Sequence, residues 1–459
     1  MKLYMKSYDL AIIGGGSAGL VAAETAHLFR KKTALIAIDK LGGDSLWFGC
    51  IPSKALLHSS RHGRSLKEVE EQIKTAQKSI VDNHENPEYF KKKGIDVYLS
   101  AAEFIDPHTL SVGGETIYAK NILIATGSKP AIPPIVGLAE TPHLTNEDVY
   151  SLSKIPKKIV VLGGGPIGCE LAQALGHLGS EVHLVQRNKR LLPKEEPDAS
   201  DLILKRFKKQ GIHVYLESTT ERVERSGKND VTVTVRHDGG TKKITADSVL
   251  VAIGRTPRIV GLGVDRIGLR ITERGIEHNH KLQTNFRHIY VAGDVAGDYL
   301  FTHWAGIQAA TAVRNMFLPI KETFAPRVLS WVTFTNPEIA HAGPTEEEII
   351  KSGMKYRTVK INYDEIDRAV AEGHTDGFIK MFIGHNGRII SAQIAGYRAG
   401  ELIHEIVLAM ECGIHVKRLS GIIHAYPTYS SGIQQALFSS LEQTASGSLR
   451  VNRLLSKLT

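Results

Sequence analysis

The sequence predicts an α/β chain: two similar strand–glycine turn–helix–strand units, then an α+β region of different texture. Two observations carry this. The runs Gly14-Gly15-Gly16-Ser17-Ala18-Gly19 and Gly163-Gly164-Gly165-Pro166-Ile167-Gly168 each lie between an apolar strand and a helix rich in alanine and leucine. From about Trp331 such runs give way to segments of alternating apolar and polar residues. A strand that enters a glycine turn, a helix and a second strand is a βαβ unit.

In the first unit the strand is Tyr8–Ile13, the helix Leu20–Phe29 and the second strand Thr33–Ile38. The charged stretch Ser65–Lys93 reads as a solvated helix or pair of helices. In the second unit the corresponding pieces are Lys158–Leu162, Cys169–Leu178 and Glu181–Gln186. One glycine run is weak evidence; two, each in this context, are strong evidence for two Rossmann-like dinucleotide folds. The stretches Lys129–Gly137 and Ser153–Lys157, with their prolines, read as domain connections. Farther on, Phe378–Ile383 and Ile389–Ala395 read as antiparallel strands and Ala399–Glu411 as a helix. Residues 1–150 are thus assigned to the first dinucleotide-binding domain, 151–256 to the second and 331–459 to a structural or dimer-forming domain. The 459-residue length fits about three domains.

Each glycine run makes a tight turn, lets backbone N–H groups approach a pyrophosphate and aims a helix N-terminus at its charge. Gly14, Gly16, Ser17 and Gly19 have these duties in the first unit, and Gly163, Gly165 and Gly168 in the second. An acidic residue at the end of the second strand usually binds a ribose hydroxyl. In the first unit that place is Ala37, and Asp39, two residues on, is the candidate. In the second unit it is Gln186, followed by Arg187, Asn188, Lys189 and Arg190. With no carboxylate there to repel a 2′-phosphate and Arg187 available to pair with one, NADPH is favoured over NADH, and both stay open.

Four more segments complete a pattern: Gly42-Gly43-Asp44-Ser45-Leu46-Trp47-Phe48-Gly49-Cys50-Ile51-Pro52-Ser53-Lys54, Ile122-Leu123-Ile124-Ala125-Thr126-Gly127, Ala252-Ile253-Gly254-Arg255-Thr256-Pro257 and Tyr290-Val291-Ala292-Gly293-Asp294. With both glycine runs, they make the chain resemble the pyridine nucleotide–disulfide oxidoreductases from Tyr8 to about Leu441. The resemblance implies FAD in the first unit and NAD(P)H in the second, and it assigns residues 257–330 to the first domain as well. It implies that Gly43, Asp44, Ser45, Gly49, Ala125, Thr126, Gly127, Gly254, Arg255, Gly293 and Asp294 line the cofactor sites. Lys54 matches a lysine beside the flavin and Glu170 its carboxylate partner; such a lysine stabilises negative charge on reduced flavin. A homodimer is implied, its C-terminal domain reaching into the partner's active site.

The chain departs from this pattern twice. The family's redox motif is Cys-x4-Cys, and here Ser45 takes the first position, leaving Cys50 alone. The family's His-Pro-Thr-x-x-Glu signature supplies an acid–base pair for thiol exchange. Here Tyr426 stands at the histidine and Ser431 at the glutamate, with Tyr426 kept as a catalytic candidate. No cysteine follows Cys412 in this sequence, so a C-terminal pair that would receive a metal is not expected. Cys50, near a helix N-terminus that attracts a thiolate, is either redox-active through sulfenic acid or persulfide, or a relic packed beside the flavin. Cys169 and Cys412 are expected to be packing residues, and the twenty histidines show no metal spacing, so no metal is expected.

The expected activity is that of a FAD-dependent NAD(P)H oxidoreductase reducing a quinone or another small-molecule electron acceptor without a dithiol relay. A transhydrogenase-like reaction and a single-cysteine peroxide or persulfide reductase are the alternatives among enzymes. A partner-binding, redox-sensing flavoprotein is the alternative of another class, with the basic tail Leu449–Lys457 as a docking element. The formal net charge is +9, but the basic residues form no long block, so a nucleic-acid partner is not expected. No apolar stretch reaches the ~18 residues of a membrane span, and no signal peptide is visible, so a cytoplasmic location is expected.

Overall fold

The computed structural model describes residues 5–227, 230–325 and 328–455, with side chains up to residue 443. The first sheet has the strand order Ile95–Leu99, Thr33–Ala37, Lys6–Ile13, Glu115–Ile124, Thr109–Val112, Ala102–Asp106. Ile289–Val291 returns from far along the chain to pair in parallel with Ile122–Ile124. The carboxyl ends of Lys6–Ile13, Glu115–Ile124 and Ile289–Val291 therefore lie side by side, and Gly14, Ala125 and Ala292 open one crevice. Such an end is where α/β sheets hold ligands.

The central strand shows why the sheet is buried on both sides. Leu10 and Ile12 pack with Ala22, Ala23 and Ala26 of the helix Ser17–Leu28. Ala11 and Ile13 face the opposite cluster, with Ile122, Ile124 and Val295. Successive side chains alternate faces, and a parallel sheet needs an apolar residue on each. The helix begins at Ser17 rather than Leu20, because the last glycine, Gly19, already lies within its first turn.

The second unit repeats the design. Its parallel sheet runs His213–Tyr215, Glu181–Val185, Lys158–Leu162, Ser248–Val251, and its helix spans Pro166–His177. Pro166 takes the first helical position, where its missing N–H costs nothing. A three-stranded antiparallel sheet, Thr219–Ser226, Asp230–His237 and Gly240–Ala246, is added to this unit. Ser128–Pro130 pairs with Arg255–Pro257, so the expected connection at Lys129–Gly137 begins as a strand of a ribbon between the units.

Beyond residue 328 lies a five-stranded antiparallel sheet ordered Ser330–Thr333, Glu338–Ala342, Ile389–Gly396, Phe378–Gly384, Tyr356–Asn362. The expected helix Ala399–Glu411 packs on it. Ser65–Lys93 forms the helices Leu66–Asn83 and Pro87–Lys92, and Val69 and Ile73 of the first are buried rather than solvated. They belong to a shared core with Leu56 and Leu57, with Ile159 and Leu175 of the second unit, and with Ile339 and Phe378 of the last region. That shared core fixes the three parts against one another. The side chains of the tail Leu449–Lys457 lie outside the described residues, as do its last two positions altogether.

Candidate active site

One cleft of about 1930 Å³ takes in both glycine turns and the first strand of the C-terminal sheet. Its walls include Gly14, Gly16, Ser17, Asp39, Gly43, Asp44, Ser45, Gly49, Cys50 and Lys54 from the first unit. Ala125, Thr126, Gly127, Gly293 and Asp294 come from the neighbouring strand ends. Gly163, Gly165, Glu170, Gln186, Arg187, Gly254 and Arg255 complete the opposite wall.

The two turns have the same construction. Gly14 has φ +125°, and a Cβ there would lie 2.1 Å from the Ala125 carbonyl oxygen. Gly163 has φ +109°, and a Cβ there would lie 2.4 Å from the Ala252 carbonyl oxygen. Only glycine lets the turn pass this close to the next strand end. Gly19 and Gly168 lie deeper, each packed on the carbonyl of its unit's first glycine. Gly165 has open space where a Cβ would stand, so its backbone is free for a bulky group to approach. These cradles fit two dinucleotides.

Asp39 is exposed at the rim beside Ile38 and Lys40. Gln186 is buried and serves the turn itself: Oε1 accepts from Gly164 N–H at 3.4 Å and Nε2 donates to the Arg190 carbonyl at 3.2 Å. Arg187 next to it is exposed in the cleft wall.

Arg255 organises a polar knot. Its Nε donates to Ser128 Oγ at 2.7 Å, and its Nη2 lies 3.1 Å from Asp44 Oδ1. Ser128 Oγ in turn donates to Asp294. Burial raises the Asp294 carboxyl above its ordinary range, while Ser128 and Arg255 pull it back. Ser128 is a member that motif reading missed, although it follows the Ala125-Thr126-Gly127 turn directly.

Lys54 lies on the helix Cys50–Arg61 and Glu170 on Pro166–His177. Their ion pair is 2.9 Å long, with side-chain exposures of 34% and 7%. Glu170 also accepts from Phe334 N–H at 2.9 Å through its other oxygen. The Phe334 ring sits 4.3 Å from the Lys54 ammonium, and the Phe334 carbonyl accepts from Arg61 at 2.6 Å. One turn along, Gln173 exchanges hydrogen bonds with the backbone of Asn336, 2.7 Å and 2.9 Å. A carboxylate satisfied on both oxygens holds its partner lysine in place, so all three regions position this cation.

Cys50 is the first residue of its helix and is exposed in the cleft. Its Sγ lies 3.5 Å from Thr302 Oγ1, and Thr302 donates to Ser45 Oγ at 3.3 Å. Thr302 opens the helix Thr302–Phe317 and carries no sequence signal for this role. Farther along the wall, Trp331 Nε1 donates to Glu195 Oε1 at 2.6 Å and Gln393 Nε2 to Glu195 Oε2 at 2.8 Å. Burial pushes the Glu195 carboxyl up to about 7. His341, stacked on Trp331 at 4.4 Å, is pushed by burial down to about 4.

Two sequence expectations shift. Tyr426 is 74% exposed, donates to Asp367 at 2.9 Å and does not line this chain's cleft. It lies in the C-terminal domain. Cys412 is exposed at the end of its helix and is not a packing residue, whereas Cys169 is fully buried and burial pushes its thiol up.

Residues 8–314 match the pyridine nucleotide-disulphide oxidoreductase family, and residues 329–437 match that family's dimerisation domain. The chain belongs to this family. The oxidoreductase is 35% identical over 448 residues to dihydrolipoyl dehydrogenase of Buchnera aphidicola subsp. Acyrthosiphon pisum, covering 93% of this chain and 94% of the relative. It is 32% identical over 448 residues to mercuric reductase of Staphylococcus aureus, covering 94% and 82%. Among solved structures, the HOCl-induced flavoprotein disulfide reductase RclA from Escherichia coli superposes with a TM-score of 0.86 at 26% identity, covering 94% and 99%. The chain is therefore a FAD-dependent enzyme of the α/β class that uses NAD(P)H, and its C-terminal domain supports a homodimer. Among the described residues no helix is long and apolar enough to cross a membrane.

Proposed function

We propose that this enzyme oxidises NADPH, or NADH, and reduces a quinone or another diffusible oxidant without a dithiol relay. The arrangement Ser45–Thr302–Cys50 carries this reading. A hydroxyl stands where the family places its first thiol, and the remaining sulfur faces a threonine hydroxyl. Cys169 is buried in the second unit and Cys412 lies at the end of the helix Ala399–Glu411, and neither lines the cleft. RclA is called a disulfide reductase; that activity is not carried over, because a serine at position 45 has no sulfur to exchange.

In the first cradle, Gly14, Gly16, Ser17 and Gly19 suit the FAD pyrophosphate, Asp39 the ribose, and Asp44, Arg255 and Asp294 its polar chain. In the second, Gly163, Gly165 and Gly168 suit the nicotinamide nucleotide, and Arg187 favours one with a 2′-phosphate. Bound FAD supplies a ring that takes hydride from the nicotinamide and yields electrons to an acceptor. Lys54, fixed by Glu170, supplies a positive charge where negative charge develops. Glu170 needs both its partners for that: losing the Phe334 N–H would leave a buried carboxylate oxygen unpaired.

Anaerobic titration tests the reading. A disulfide would take up one extra electron pair before the flavin. Full reduction of the bound flavin by one equivalent of NADPH per FAD is expected; a requirement for two, with a thiolate–flavin intermediate after the first, would exclude it.

A further inference from the structure

The second dinucleotide unit carries a cluster of metal-ligating side chains outside the cleft, with Glu181 paired to Lys158 at the strand end opposite Gly163. Glu181 and His183 lie two apart on one strand and so project from the same face. The neighbouring parallel strand pairs His213 directly with His183. The donor atoms of Glu181, His183 and His213 all fall within 4.8 Å of one another. The two imidazole rings stack at 4.6 Å, and His183 Nε2 lies 2.8 Å from Glu181 Oε1. The other imidazole nitrogen, Nδ1, sits 3.0 Å from the Tyr215 hydroxyl. Tyr215 follows His213 by two positions and shares its face.

The donor types are those a borderline divalent cation takes, and the stacked His213 ring, being exposed, must turn out of its 4.6 Å stack for both imidazoles to point at one ion. Two imidazoles and a carboxylate are a zinc-type donor set, with bonds of about 2.0–2.2 Å that place donors about 3–3.5 Å apart. A metal-bound histidine normally hands its second nitrogen to an outer partner, and Tyr215 is such a partner for His183. The strands give the donors a rigid base. His183 is buried while Glu181 and His213 are exposed, so the remaining coordination position opens to solvent. Lys158 is the competitor: its Nζ lies 2.9 Å from Glu181 Oε1. Both it and His183 use Oε1, so Oε2 is the oxygen offered to a metal.

We propose that Glu181, His183 and His213 form a peripheral site for a borderline divalent cation such as Zn2+, which ties the strands Glu181–Val185 and His213–Tyr215 together. Sequence spacing hides the site because the two histidines are brought together by strand register and not by a short motif.

Zn2+ alone is the probe, titrated calorimetrically into the FAD-loaded enzyme carrying Cys50→Ser and Cys412→Ser, so that the exposed thiols do not compete. One Zn2+ per chain is expected to bind and to raise Tm. Adding His213→Ala, at an exposed position, should weaken binding by at least roughly tenfold without lowering the metal-free Tm; Tyr215→Phe should weaken it less. Undiminished binding in the His213→Ala protein, or no binding beyond that protein's level in its parent, overturns the proposal. Neither outcome bears on the electron-transfer reading, which concerns a different end of the unit.

Discussion

The sulfur of Cys50 lies 3.5 Å from the hydroxyl of Thr302, at the N-terminus of a helix from a distant part of the chain. Thr302 also reaches Ser45, so a hydroxyl bridges the two positions that a dithiol would occupy.

A sulfur in this setting need not turn over for hydride to pass. Cys50→Ser is expected to keep nicotinamide–quinone turnover within about twofold and to abolish any peroxide or persulfide reduction, since only the thiolate is a nucleophile there. Steady-state assays with both acceptor classes check this. Loss of quinone turnover as well would make Cys50 part of the electron path.

Arg187 is the exposed cation beside the place where an acidic residue would bind a ribose. Arg187→Ala should raise KM for NADPH roughly tenfold, about the 1.4 kcal/mol of one charge-assisted contact, and leave KM for NADH nearly unchanged. Equal changes for the two nucleotides would remove the case for 2′-phosphate recognition.

Two glycines of the second turn should fail in different ways. Gly163→Ala drives a Cβ to 2.4 Å from a backbone oxygen, with φ at +109°, and is expected to destabilise the unit by about 2–4 kcal/mol. Gly165→Ala meets nothing within 4 Å, so the protein should keep its Tm. Its methyl would instead stand in the pyrophosphate path and raise KM for the nicotinamide nucleotide at least roughly tenfold. Thermal melts and steady-state kinetics of the pair separate folding from binding.

Glu195 and His341 set opposing pH slopes. The Glu195 carboxyl rises from 4.5 to about 7 on folding, so the folded state holds the extra proton between those values and stability falls as pH rises through them. His341 falls from 6.5 to about 4, so the unfolded state holds the extra proton there and stability rises with pH across that window. Each is worth about 3 kcal/mol, and they largely cancel where the windows overlap. Glu195→Gln should uncover the His341 slope: stability increasing by about 3 kcal/mol from pH 4 to pH 6.5, read by denaturant unfolding. The neutral amide is tolerable because Gln393 Oε1 is buried and lacks a hydrogen-bond partner, so a turned Gln393 can accept from it. An unchanged pH profile in the variant would refute the assignment.

Much of the fold was legible because local chemistry dictated it. The glycine runs could only be turns at strand ends, and the alternation Leu10, Ala11, Ile12, Ile13 required a sheet covered on both faces. Lys54 and Glu170 were legible only through resemblance, since nothing within either segment names the other. Ser128, Thr302, Phe334 and Glu195 were not legible at all: each acts through a contact more than a hundred residues away in the chain. The ribbon at Ser128–Pro130 hid behind prolines that normally mark connections.

The sequence by itself determined the two dinucleotide cradles, the loss of the first thiol at Ser45 and the cation at Arg187, because backbone sterics and side-chain chemistry act at single positions. Only the tertiary structure decided that Thr302 fills the space between Ser45 and Cys50, that Phe334 locks Glu170 onto Lys54, and that His213 meets His183. Those relationships depend on strand register and on how three regions pack around one shared core, and a linear pattern of residues carries neither.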